Sequence, residues 1–169
     1  GSGGHAEALL DRMQNKGRLI GIDQDRDALK RARERLAGRP AEFVQGHWRN
    51  LEVMLKKAKV DQAQGFLFDL GVSREQLETA DRGFSFLHEG PLDMRMDREN
   101  PTSAADLINS LSEDRLAEIF REGGEERWAR RLARHIVDSR KKSQFKTTAQ
   151  LAAIVEQAIP ARGRPKKIH

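Results

Sequence analysis

Gly65-Phe66-Leu67-Phe68-Asp69-Leu70-Gly71-Val72-Ser73 is the stretch whose reading decides the fold. It starts apolar and β-favouring, then turns polar and glycine-bearing at Asp69. That is the profile of a strand running to the carboxyl edge of an open α/β sheet, where such sheets expose a ligand crevice. Gly65 to Leu70 is therefore expected to be a strand, with Arg74-Glu75-Gln76-Leu77 on the turn that follows.

Upstream, Arg18 to Asp23 and Ala41 to Gly46 also read as strands. Helices are expected at Ala6 to Met13, behind the turn Gly1-Ser2-Gly3-Gly4-His5, at Asp27 to Leu36 with Asp25 as its cap, and at Leu51 to Lys59. Strand alternates with helix three times, the pattern of a parallel sheet with crossover helices. A nucleotide-binding α/β domain has a strand before its first glycine turn, and three strands leave its sheet incomplete. The chain thus reads as an internal piece of a longer protein.

After Leu77 the alternation stops. Pro91, Pro101 and several glycines punctuate residues 81–101, and the remainder reads as helix. Ser103 is placed to cap Ala104 to Ile108 and Ser112 to cap Glu113 to Phe120. Thr147 with Gln150 forms a capping box for Thr148 to Ile159, which Pro160 stops. Residues 1–76 are expected to be a partial α/β domain and residues 77–169 a helical unit inserted into it or appended to it.

The 169 residues suffice for one domain with a sizeable insertion, at about 100–200 residues per domain. With 37% hydrophobic residues the chain can bury a core, while 34% charged residues and a mean hydropathy of -0.73 imply a large solvated surface. The absence of cysteine excludes a disulfide frame and a thiolate metal site. No apolar run reaches the ~18 residues of a membrane span, so a soluble cytoplasmic protein is expected. The net charge of +5 is unevenly spread. Lys and Arg against Asp and Glu stand at 14 to 11 in residues 1–76 and 4 to 10 in residues 77–120, then at 9 to 4 in residues 121–147 and 4 to 1 beyond.

A glycine turn opening a helix presents backbone N–H groups and room for close approach, which makes Gly3, Gly4 and His5 candidate ligand-loop residues. Asp23, roughly 20 residues on at the end of the next strand, stands where an acid binds a ribose diol in dinucleotide folds. An ordinary surface turn and a helix-capping carboxylate would produce the same letters, and neither feature separates a nicotinamide from S-adenosylmethionine. Trp48, after the second strand, either lies against an adenine face or covers the sheet edge. His47 has no partner at metal-ligand spacing, and no metal is predicted. Asp69 and Gln76 are suited to hydrogen-bond the amino-acid part of a cofactor or the exocyclic amine of a base; the alternative is a strand-end cap.

From Gly123 to Ile136 the helical wheel separates two faces. Counting from Trp128 at about 100° per residue, Trp128, Leu132, Ile136, Ala129 and Ala133 fall within about 140°, and Arg127, Arg130, Arg131 and Arg134 within about 200–300°. Glu125 and Glu126 at the start complement the helix dipole. With Lys141, Lys142, Lys146 and the tail Arg162, Arg164, Lys166 and Lys167, this forms a candidate phosphate-binding surface. A solvated face paired with the acids of residues 77–120 is the other reading.

Several motifs occur in a telling order: Gly3-Gly4-His5, Ile22-Asp23-Gln24-Asp25, Leu67-Phe68-Asp69-Leu70-Gly71-Val72-Ser73, Arg82-Gly83-Phe84-Ser85-Phe86, Gly90-Pro91-Leu92-Asp93-Met94-Arg95-Met96-Asp97 and Gly124-Glu125-Glu126-Arg127. Together they resemble the RsmH (MraW) family of bacterial S-adenosylmethionine-dependent methyltransferases. The resemblance implies a Rossmann-like class I methyltransferase sheet, incomplete here, with an inserted helical domain. It implies S-adenosylmethionine as cofactor and, as substrate, the N4 amine of a cytidine in 16S ribosomal RNA of the small subunit. Gly3, Gly4 and His5 would be the cofactor loop, Asp23 the ribose acid, Trp48 an aromatic beside the adenine where the family often has phenylalanine, and Asp69 and Gln76 further cofactor contacts. Asp69 is also the candidate catalytic acceptor. Arg127, Arg130, Arg131, Arg134, Lys141 and Lys142 are the candidate RNA contacts. Arg74 departs from the serine usual in the family. Asp93, Arg95 and Asp97 line a substrate cleft or lock the insertion. A nicotinamide-dependent oxidoreductase leaves the basic helical unit idle, a non-catalytic RNA-binding module ignores the glycine turn, and a methyltransferase for DNA or protein shares the cofactor features. None of the three explains the block from Arg82 to Asp97.

Overall fold

The computed structural model describes residues 1–124 and 127–159. Two compact units emerge. The first holds Gly1–Gly71 with Met96–Glu99, and the second holds Val72–Arg95 and the chain from Asn100 onward.

In the first unit β1 (Leu19–Asp23) and β2 (Ala41–Gln45) pair in parallel, with Leu19 opposite Ala41 and Asp23 opposite Gln45. The crossover between them is α2 (Arg26–Arg35). Asp25 fixes its start, one carboxylate oxygen accepting the N–H groups of Asp27 at 2.9 Å and Ala28 at 3.3 Å. Ala28, Leu29, Ala32 and Leu36 lie on one stripe of α2 and are buried, as helical periodicity requires. α1 (Gly4–Arg12) adds Leu10, which is wholly buried, and α3 (Leu51–Lys57) adds Met54. Each leucine so buried contributes about 1.5–3 kcal/mol. Met96–Glu99 belongs here through Gln24, whose Nε2 lies 3.1 Å from the Met96 sulfur, and through the Arg26–Glu99 ion pair at 3.4 Å.

The expected third strand is corrected. Gly65 to Leu70 forms no strand, and the sheet of the described residues has only β1 and β2. Phe66, Leu67, Phe68 and Leu70 are each more than half exposed. The rings of Phe66 and Phe68 stack on one side at 6.3 Å, as residues two apart do on an extended chain. Composition favours a strand, but a strand is held by ladder hydrogen bonds to a neighbour, and none of the described strands pairs with this segment.

The second unit is helical: α4 (Arg74–Glu78), α5 (Ala104–Ser110), α6 (Glu113–Glu122), α7 (Ala129–Arg140) and α8 (Thr148–Ala158). Its core joins Leu92, Ile108, Leu116, Leu132, Ile136 and Phe145. The expected caps form. Ser103, Ser112 and Thr147 accept from the N–H three residues on, and Thr147–Gln150 is a full capping box. Asn109 of α5 ties down Phe145 from both sides, donating to its carbonyl at 2.8 Å and accepting its N–H at 2.9 Å.

Between α4 and α5 the irregular chain is locked by close backbone approach. Gly83 has φ +69°, and a Cβ on it would run into the carbonyl oxygen of Pro91 and stand 2.7 Å from the Asp93 nitrogen. A Cβ on Gly90 would strike the carbonyl of Ala80. Arg95 donates to both oxygens of Asp93, at 2.7 and 2.9 Å, and to the carbonyl of Asn100 at 2.8 Å. Asp93 and Arg95 therefore lock this segment of the second unit. Asp97, in the first, accepts the N–H of Glu99 at 2.9 Å in a local turn.

Candidate functional site

In the first unit the glycine turn leads straight into α1. Gly3 stands at φ +91°, and a Cβ there would lie 3.2 Å from both Cα and Cβ of Ala32. Only glycine lets the turn lie this close to α2 without strain. At the end of β1, Asp23 accepts the N–H of Asp25 on one oxygen at 2.9 Å and the amino group of Gly1 on the other. The N–H of Gly46 bonds the Asp23 carbonyl at 2.9 Å, which carries the end of β2 to the same edge. Trp48 opens a 3-10 turn there, capped by His47, whose Nδ1 accepts the N–H of Arg49 at 3.1 Å. The indole is 46% exposed, with the Arg49 guanidinium 5.6 Å from its ring centre. It lies open at the edge rather than sealing it. Asp69 closes on the turn, its carboxylate 3.2 Å from Nδ1 of His5.

Gly3, Gly4, His5, Asp23, Trp48 and Asp69 all belong to this unit, whereas Gln76 belongs to the other. Gln76 is buried in α4, where its side-chain oxygen accepts the Ser73 N–H at 2.8 Å while the Ser73 hydroxyl accepts the Gln76 N–H at 3.2 Å. That is a capping box, and the expected turn after Leu70 is a helix start. The letters Ser73-Arg74-Glu75-Gln76 carry this signature, so sequence alone held the signal.

In the second unit α7 follows the wheel. Ala129, Leu132, Ala133 and Ile136 are buried, Trp128 is half-buried, and Arg127, Arg130, Arg131 and Arg134 are exposed. Two of the expected cations are already paired. Arg134 lies 3.5 Å from Glu113 of α6, and Lys141 donates to Asp138 at 2.9 Å, holding that carboxyl below its usual range through the hydrogen bond and the charge. Lys142 is exposed, and Arg127 lies over the Trp128 ring at 5.3 Å. Arg115 and Arg121 of α6, which the sequence reading did not single out, line a shallow groove with Arg130, flanked by Glu118 and Glu122. Their clue was position on a second amphipathic helix, visible only once α6 packs on α7. Glu125, Glu126 and the tail Arg162, Arg164, Lys166 and Lys167 lie outside the described residues. Among the described residues no helix is long and apolar enough to cross a membrane, and no group of three or more His, Cys, Asp or Glu is arranged to hold a metal.

A glycine turn entering a helix, a parallel β1–α2–β2 crossover and an acid at the end of β1 define a Rossmann-like nucleotide-binding unit. The model of the MraW methylase family matches residues 1–169, and the chain belongs to that family. Its sheet is part of a class I S-adenosylmethionine-dependent methyltransferase fold. Among curated relatives, proteins named ribosomal RNA small subunit methyltransferase H are similar along the whole chain. The one from Geobacter sulfurreducens is 47% identical over 171 residues, covering 100% of this chain and 55% of its own. Those from Syntrophus aciditrophicus and Clostridium botulinum strain Loch Maree are 47% and 42% identical, covering 100% and 99% of this chain. The chain spans about half the length of the curated relatives it matches.

Proposed function

We propose that this chain is part of an enzyme that moves the methyl group of S-adenosylmethionine onto RNA of the small ribosomal subunit, at the N4 amine of a cytidine in 16S RNA. The reading is carried by the match along the whole chain to relatives of that name, with six of the candidate cofactor residues falling in one unit of the fold. The donor set suits the cofactor. The Asp23 carboxylate already takes one N–H donor on one oxygen and a cationic donor on the other, and a ribose diol offers donors of the same kind. Trp48 presents an open aromatic face at the same edge, suited to adenine, and the glycine turn with Asp69 suits the amino-acid end.

When bound, the cofactor supplies an electrophilic methyl on a positive sulfur. The protein's work follows from the acceptor. The exocyclic nitrogen of cytosine is a poor nucleophile because its lone pair is delocalised into the ring, so it must be held in line and made more pyramidal. Asp69 accepts a hydrogen bond from the amine and orients it. The target base leaves its stack to reach the site, and the arginines of α7 hold the RNA backbone, adding affinity more than sequence choice. The substrate places the reaction in the cytoplasm.

The test is transfer of labelled methyl groups to unmodified small subunits by the full-length protein, followed by nucleoside analysis. N4-methylcytidine is the expected product, and label in another nucleoside, or in protein, would overturn the assignment. Arg130→Gln and Arg131→Gln are each expected to weaken RNA binding and lower the salt slope by about 1, with cofactor affinity unchanged.

A further inference from the structure

We infer that His5 and Asp69 form a proton-accepting dyad in which His5 takes the proton released by the acceptor amine; the inference rests on the reaction proposed above. The two side chains come from distant parts of the sequence and meet with Nδ1 of His5 3.2 Å from Oδ2 of Asp69. Both are more than 70% exposed, and so open a pair contributes little to stability. Structure alone therefore gives no reason for the contact. It does set the chemistry of the ring. With Nδ1–H donating to the carboxylate, Nε2 is left as the acceptor, in the arrangement that makes an imidazole a general base. The other described imidazoles whose contacts are defined are used locally: His47 caps the turn at Arg49, and Nδ1 of His135 meets the carbonyl of Arg131.

The electrostatic setting of the dyad is mixed. Arg35 of α2 lies beside the turn, its guanidinium 3.5 Å from where a Cβ on Gly4 would stand, and Glu7 follows on α1. The Gly1 amino group is engaged with Asp23. Asp69 is thus the charged group in direct contact with His5, and it favours the imidazolium.

The step balances without a further reactant. The amine nitrogen forms a bond to the methyl carbon as the carbon–sulfur bond breaks, and the sulfur leaves with the bonding pair as a neutral thioether. The nitrogen, briefly positive, gives one proton to Nε2 of His5. Asp69 stabilises the resulting imidazolium through Oδ2, while its other oxygen is available to orient the amine. Water later takes the proton from His5.

The experiment uses the full-length protein with His5→Asn, which retains a short donor toward Asp69 but has no titrating nitrogen. Three readouts are taken: cofactor affinity by calorimetry, methyl transfer to small subunits against pH, and the imidazole titration of His5 by NMR without cofactor, in the wild type and in Asp69→Asn. The expected result is a cofactor Kd within about threefold of wild type, transfer lowered on the order of 100-fold at pH 7, and loss of the acid limb of the rate profile. The His5 titration is expected at higher pH in the wild type than in Asp69→Asn. A His5→Asn enzyme with the wild-type rate and profile, or a His5 titration indifferent to Asp69→Asn, overturns the dyad and leaves the methyl-transfer reading standing. A wild-type protein that transfers no methyl to RNA defeats both.

Discussion

In the second unit Leu116, Leu132, Ala133 and Ile136 are at most 6% exposed, whereas in the first Phe66, Leu67, Phe68 and Leu70 are each at least 55% exposed. The residues are similarly apolar, so hydrophobicity does not account for the contrast. A helix satisfies its backbone hydrogen bonds within its own segment and is then free to pack as a finished rod. A strand must find its backbone partners elsewhere before its side chains have a face to bury. The helical unit thus closes its core from α5 to α8, while the apolar run before Asp69 keeps its side chains in solvent.

The strongest way to break this contrast is to remove the centre of the helical core. Ile136→Ala deletes a wholly buried side chain and is expected to destabilise the second unit by about 2–5 kcal/mol, read as a lower urea midpoint with an unchanged slope. A loss below about 1 kcal/mol would mean that α7 does not carry the core.

The two tight glycine turns compare the units directly. Gly83→Ala places a Cβ against the Pro91 carbonyl at φ +69° and is expected to lose about 1–3 kcal/mol through backbone strain, because neither partner is a movable side chain. Gly3→Ala, at φ +91° but with its nearest neighbours at 3.2 Å, should lose less in a parallel denaturation series. The reverse order would show the first unit to be the more tightly packed of the two.

What was legible in the sequence follows the same division. Asp25, Ser103, Ser112 and Thr147 were readable as caps because each acts on N–H groups two or three residues away. The buried stripe of α7 was readable from Trp128 onward because helical periodicity is local. β1 and β2 were readable from their apolar runs flanking a capped helix. The third strand was not, since its realisation depends on a partner that composition does not name. Gln76 was assigned a ligand role although Ser73 three residues before it already marked a capping box. The contacts His5–Asp69 and Arg134–Glu113 join residues far apart in the chain, and no spacing rule reaches them.

Capping gives a smaller test. Thr147→Ala removes the oxygen that accepts the Gln150 N–H at 3.3 Å and should lower stability by about 1 kcal/mol. Thr147→Asp, which restores an acceptor at the N-cap, should recover most of it, measured by the same urea midpoints. A full loss in both variants would trace the effect to the bridge between Pro91 and Thr147 instead of the cap.

The smallest expected effect is on acid stability, and it separates the units by residue. In the first, Arg18 holds the Glu42 carboxyl below its usual value of 4.5, chiefly through hydrogen bonds at 2.7 Å to each oxygen and secondarily through charge. In the second, the hydroxyl and N–H of Ser103 hold Asp106 below 3.8. Both groups have depressed values in the folded state. Their contribution is therefore complete above the unfolded values and is lost as pH falls through the lower folded ones. Stability is expected to be flat from pH 7 to about 5 with respect to these two groups and to decline below that. Glu42→Gln should flatten the decline for the first unit alone and Asp106→Asn for the second, in denaturation followed residue by residue by NMR. The effects should be modest, since both carboxylates are open to solvent that screens them. A decline unchanged by either substitution would place the acid sensitivity in other carboxylates, with Asp138 beside Lys141 the next to replace.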